Sequence, residues 1–104
     1  MNIKTITPDE VKERLEKGET LHLIDVREDE EVAEGMIPEA VHIRMGDIPD
    51  YLDKLDPKHE YIIICRSGGR SGQVCKYLWA QGYEHIVNMA GGMLKWTGEL
   101  KPKR

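Results

Sequence analysis

Apolar and polar positions change period several times along this chain. Val11 and Leu15 stand four apart, one stripe of a helix. Thr7-Pro8-Asp9-Glu10 is its start, with Thr7 as N-cap, Pro8 at the first helical position and Glu10 closing a capping box; Gly18 is its stop. Residues 3–6 read as a short edge strand, and residues 21–26 as a mostly buried one followed by an acidic turn or short helix. Gly35-Met36-Ile37-Pro38 breaks the chain before a short strand at 40–43. A helix is expected over residues 47–55, with Pro49 in its first turn. Tyr61-Ile62-Ile63-Ile64 is the clearest central strand, apolar on both faces as parallel strands covered on two sides are. Residues 66–70 then form a glycine-bearing loop. The spacing of Val74, Cys75, Leu78 and Trp79 predicts a helix over 71–81 with that face inward and Gly82 as stop. A strand at 86–89, a turn at Ala90-Gly91-Gly92, a last helix near 93–97 and a polar tail from Lys101 to Arg104 complete the chain. Strands alternating with helices imply an α/β fold on a largely parallel sheet.

The 104 residues allow one domain, expected over 1–104. Hydrophobic residues at 39% and charged residues at 33% fit a globular chain. No apolar run is long enough for a membrane span and no leader precedes the first helix, so a cytoplasmic monomer is expected. Two cysteines are too few for a disulfide framework or a thiolate zinc site, and the four histidines have no metal-pair spacing. Neither metal nor other cofactor is expected. The net charge of −4 hides an asymmetry: residues 1–60 carry 8 basic against 17 acidic side chains, residues 61–104 carry 7 against 2. Solvated helix faces account for the acidic half. The basic half also suits small anions, while the acidic whole argues against nucleic acid.

Cys65 closes the central strand, at the sheet edge where α/β proteins bind ligands. Arg66-Ser67-Gly68-Gly69-Arg70-Ser71 follows. Gly68 and Gly69 let successive N–H groups turn inward as an anion nest, the next helix adds its positive end, and Arg66 and Arg70 add charge. Each favours thiolate over thiol, so Cys65 is the candidate nucleophile, needing no adjacent base. Cys75, within a helix beside Val74, reads as core, with a resolving thiol as the alternative. Ser67 and Ser71 offer hydroxyl donors, although Ser71 is equally placed to cap the helix. Asp25 and Arg27 reach the same sheet edge and could support Cys65; alternatively Arg27 simply pairs with Glu31, four residues on.

At this loop the chain resembles the rhodanese family of sulfurtransferases. The resemblance continues in Asp25-Val26-Arg27-Glu28 with Glu31, in Glu34-Gly35-Met36-Ile37-Pro38-Glu39-Ala40, and in Met89-Ala90-Gly91-Gly92 with Trp96. Met36, Glu39 and Val32 depart from the family pattern, all outside the loop. The resemblance implies a five-stranded parallel sheet flanked by helices. It also implies a two-step reaction in which Cys65 takes sulfur from an anionic donor such as thiosulfate and passes it as a persulfide to cyanide, a thiol or a protein acceptor. Arg66 and Arg70 would orient the donor. Gly91 and Gly92 would allow a tight turn, and Trp96 would pack.

Two rivals differ in kind. A cysteine phosphatase or arsenate reductase also sets a thiolate in an arginine-bearing loop, but with five residues between Cys and Arg. Here Arg70 follows Cys65 after four, and the loop carries no Asp to act as general acid. A persulfide carrier serving one dedicated protein partner would keep Cys65 and differ only in its docking surface.

Overall fold

The computed structural model describes residues 3–103; Arg104 of the expected tail lies outside the described residues. Five parallel strands form one sheet: β1 (Lys4–Ile6), β2 (Leu23–Asp25), β3 (Ala40–His42), β4 (Tyr61–Ile64) and β5 (Ile86–Met89), in the order β1-β5-β4-β2-β3. Three α-helices, α1 (Pro8–Glu16), α2 (Asp29–Glu34) and α3 (Gly69–Ala80), and two 3₁₀ segments, Met45–Lys54 and Gly92–Lys95, connect them. β4 is central, and all four of its side chains are buried.

The side-chain period of two splits the apolar residues into two layers. Ile24, Tyr61, Ile63, Cys65 and Ile86 face Val74, Cys75 and Leu78 of α3 and Ile48 of the first 3₁₀ segment. Leu23, Ile62, Ile64, Val87 and Met89 face Val11 of α1, with Leu15, Met93 and Trp96 packed alongside. The expected α/β architecture with helices on both faces is what the chain adopts. The α1 start also follows expectation: the Glu10 amide donates to Thr7 Oγ1 and the Thr7 amide to Glu10 Oε1, each at 3.1 Å.

Differences lie in the helices. The segment expected as a helix over 47–55 is a 3₁₀ helix that starts earlier, at Met45, with Pro49 in its interior. The Pro49 ring would clash with the carbonyl four residues back in an α-helix, which disfavours that winding there. The last helix is likewise a 3₁₀ segment of four residues rather than residues 93–97. Trp79 is half-buried, not inward with Val74, Cys75 and Leu78. Among the described residues no helix is long and apolar enough to cross a membrane.

The C-terminal segment returns across the molecule as a strap. Met36 and Lys101 exchange backbone hydrogen bonds at 2.8 and 2.9 Å, and the Lys103 amide donates to the Val32 carbonyl at 3.1 Å. Lys103 Nζ also donates to His42 Nδ1 at 2.8 Å, while His42 Nε2 donates to the Arg27 carbonyl at 2.6 Å.

Candidate functional site

Cys65 immediately follows β4, and its side chain points into the α3 layer. The chain then turns into α3 without a separate loop helix cap: Gly68, at φ +104°, is the N-cap, and α3 begins at Gly69. That start is two residues earlier than expected. Ser71 is therefore not the cap; it sits in the first turn, where its hydroxyl faces inward. Gly68 tolerates the left-handed conformation because it has no Cβ, and an added Cβ would come within 3.2 Å of the Gly91 amide nitrogen.

Two polar groups converge on the sulfur. The Gly68 amide donates to Cys65 Sγ at 3.0 Å, and Ser71 Oγ lies 3.2 Å from it. Burial alone pushes the Cys65 thiol up. The Ser71 hydroxyl and the amides of Ser71, Gly68 and Ser67 outweigh burial and hold it below its ordinary value. Cys65 exposes none of its surface. Cys75, equally enclosed, has no such donors, and burial pushes its thiol up to about 12. The two thiols are thus driven in opposite directions: donors outweigh burial at Cys65, whereas at Cys75 burial, reinforced by the neighbouring Cys65 charge, goes unopposed.

The arginines do not play equal parts. Arg66 is exposed, and no side-chain partner holds its guanidinium among the described residues. Arg70 is engaged fork to fork by Glu31 on α2. The expected Arg27–Glu31 pair does not form. Arg27 folds back onto Asp25 instead, with Nε 3.0 Å from Oδ1 and Nη2 2.9 Å from Oδ2, and gives its remaining reach to the Gly35 carbonyl at 2.9 Å. The reason is burial: Asp25, fully enclosed at the end of β2, needs a cation, and Arg27 is the one beside it. Asp25 is in register with Ile64, so this pair lies next to the Cys65 backbone and braces the neighbouring strand end.

Two residues outside the predicted set also shape the site. Asn88 on β5 donates from Nδ2 to the Gly68 carbonyl at 3.2 Å and accepts from Ser71 Oγ. Its sequence signal is a polar side chain at a strand position facing the same layer as Ile86. Gly92, expected only to turn the chain, does more. It follows β5 at φ +60°, and an added Cβ would come within 2.6 Å of the Cys65 carbonyl oxygen. That close approach lets the Met93 amide donate to the Cys65 carbonyl at 2.9 Å and the Leu94 amide to the Arg66 carbonyl at 3.0 Å. The loop's carbonyls are held from behind, which leaves its amides free to face the sulfur. Trp96 packs at the edge of the opposite layer, as expected.

This arrangement can hold one sulfur anion in a rigid ring of donors. A family model described as a rhodanese-like domain matches residues 7–99. A Bacillus subtilis (strain 168) protein named "Putative sulfurtransferase YtwF" is 62% identical over 103 residues, covering 99% of both chains. A protein named "Sulfurtransferase" from Allochromatium vinosum is 37% identical over 95 residues, covering 91% of this chain and 89% of the relative. The crystal structure of a rhodanese-like domain protein from Staphylococcus aureus matches with a TM-score of 0.90 at 43% identity, covering 98% of this chain and 100% of that one.

Proposed function

The chain belongs to the rhodanese-like domain family, and on that footing we propose that it is a sulfurtransferase working through a Cys65 persulfide. The Cys65 thiolate attacks the outer sulfur of an anionic donor of the thiosulfate type. A new sulfur–sulfur bond forms at Sγ, the donor's own sulfur–sulfur bond breaks, and sulfite leaves with the electron pair. The terminal persulfide sulfur is then attacked by a thiophilic acceptor, cyanide or a thiol, and the Cys65 thiolate returns. Residues 1–104 act as one domain in this reading.

The observation that carries it is the Gly68 amide donating to Cys65 Sγ with the Ser71 hydroxyl 3.2 Å away, in a site that holds the thiol below its ordinary value despite burial. Such donors stabilise negative charge on the thiolate before transfer and on the persulfide after it. Arg66, exposed at the loop, is the cation available to draw in an anionic donor. A sulfur with no exposed surface favours a slender donor end over a tetrahedral phosphate centre.

Thiosulfate treatment followed by intact-mass measurement tests this directly. One added sulfur is expected, removable by cyanide, absent from Cys65→Ser and retained in Cys75→Ser. Sulfur lost only in Cys75→Ser, or never taken up, would sink the proposal.

A further inference from the structure

We propose that Asn88 is a positioning residue that competes with the Cys65 sulfur for the single hydroxyl proton of Ser71, and so sets how readily Cys65 ionises. In its bearing on catalysis the proposal rests on the sulfurtransferase reading of Cys65.

The amide orientation of Asn88 is fixed by its partners. The Gly68 carbonyl can only accept, so Nδ2 faces it at 3.2 Å and Oδ1 faces Ser71. Ser71 Oγ carries one proton and has three acceptors within reach: Asn88 Oδ1, the Gly68 carbonyl at 3.2 Å and Cys65 Sγ at 3.2 Å. While Cys65 is a thiol, the amide oxygen is the better acceptor, and the S–H can donate to Ser71 Oγ in turn. Once Cys65 loses its proton to water, the sulfur only accepts. The Ser71 hydroxyl then swings from Asn88 Oδ1 to Sγ, and Oδ1 loses its donor. Every anion formed at Cys65 gives up the Ser71–Asn88 contact.

Asn88 is well placed for this. It is in register with Ile63 on one side and Thr5 on the other, so the sheet fixes its depth beneath the first turn of α3. It also steadies Gly68, whose own amide donates to Sγ at 3.0 Å. The two actions oppose each other: drawing off the hydroxyl disfavours the thiolate, while steadying Gly68 favours it. A residue that merely braces the loop would show only the second.

Asn88→Ala and the similarly shaped Asn88→Leu, each made in the full chain with and without Ser71→Ala, separate these actions. The readout is the ultraviolet absorbance of the thiolate against pH, with Cys65→Ser subtracted. With Ser71 present, both variants are expected to move the titration midpoint to lower pH, giving about fivefold more thiolate below the midpoint. In the Ser71→Ala background only the steadying of Gly68 remains, so there the same variants are expected to move it to higher pH. With Ser71 present, a midpoint that rises or stays in place overturns the proposal, as does an equal shift in both backgrounds. The same samples are weighed after thiosulfate treatment. A wild type that takes up no sulfur strikes the sulfurtransferase reading while a Ser71-dependent shift still stands. A wild type that loads sulfur beside an unmoved midpoint strikes the role of Asn88 alone.

Discussion

The Arg70 guanidinium and the Glu31 carboxylate meet in two parallel hydrogen bonds, Nη1 to Oε1 and Nη2 to Oε2, both at 2.8 Å. This contact joins the first turn of α3 to the acidic helix α2, so charge from the two differently charged halves of the chain meets at the site. The Arg70 hydrogen bonds pull the Glu31 carboxyl down to about 2, well below its ordinary value. A carboxyl depressed in the folded state adds stability above its unfolded value and loses it as pH falls towards the folded one. Wild-type unfolding midpoints in urea are expected to fall between about pH 5 and pH 2 more steeply than those of Glu31→Gln. Parallel profiles would remove Glu31 from the acid response.

Because Arg70 is occupied and Arg66 is not, their substitutions should differ in origin. Arg66→Ala is expected to raise the thiosulfate KM about tenfold with little change in kcat. Arg70→Ala also raises KM, by baring the Glu31 charge at the loop, and adding Glu31→Gln recovers part of the loss. Steady-state kinetics on the four proteins checks both statements. An Arg70→Ala effect unchanged by Glu31→Gln would place Arg70 on the donor itself.

The two glycines after β5 should respond very differently to a methyl group. Gly91 has φ +85°, and an added Cβ meets only the flexible Lys95 side chain closely, so Gly91→Ala should cost about 1 kcal/mol. At Gly92 the methyl group meets the Cys65 and Arg66 backbone, and the cost should be about 3 kcal/mol together with loss of sulfur loading. Urea denaturation and intact mass report the two effects separately.

Asp25→Ala leaves the Arg27 guanidinium enclosed without its counter-charge, at an expected cost of about 3–5 kcal/mol. Arg27→Leu added to it should recover part of that loss, because no buried charge is then left unpaired. Denaturant titration of both variants distinguishes this structural pair from a catalytic one. A double variant as unstable as the single would contradict the assignment.

Much of this fold is legible in the sequence because its signals are local. The Thr7–Glu10 box, the Ile62-Ile63-Ile64 run and the Cys65–Ser71 glycine loop each state their conformation within a few residues. The missing parts depend on residues distant in sequence. Glu31 finds Arg70 across 39 positions, so helical spacing alone suggested Arg27 instead. Asn88 meets Ser71 only because β5 lies beside β4 beneath α3. Gly92 reads as a turn former until the Cys65 and Arg66 carbonyls are seen against it. Pro49 disfavours α winding within the 45–54 segment, a choice the hydrophobic spacing leaves open.

The strap formed by Lys101 and Lys103 has a remote reach. It ties down Met36 and Val32, and Val32 belongs to the same short helix as Glu31. Loosening this strap would therefore slacken α2 first and then the grip on Arg70, disturbing the loop from well outside it.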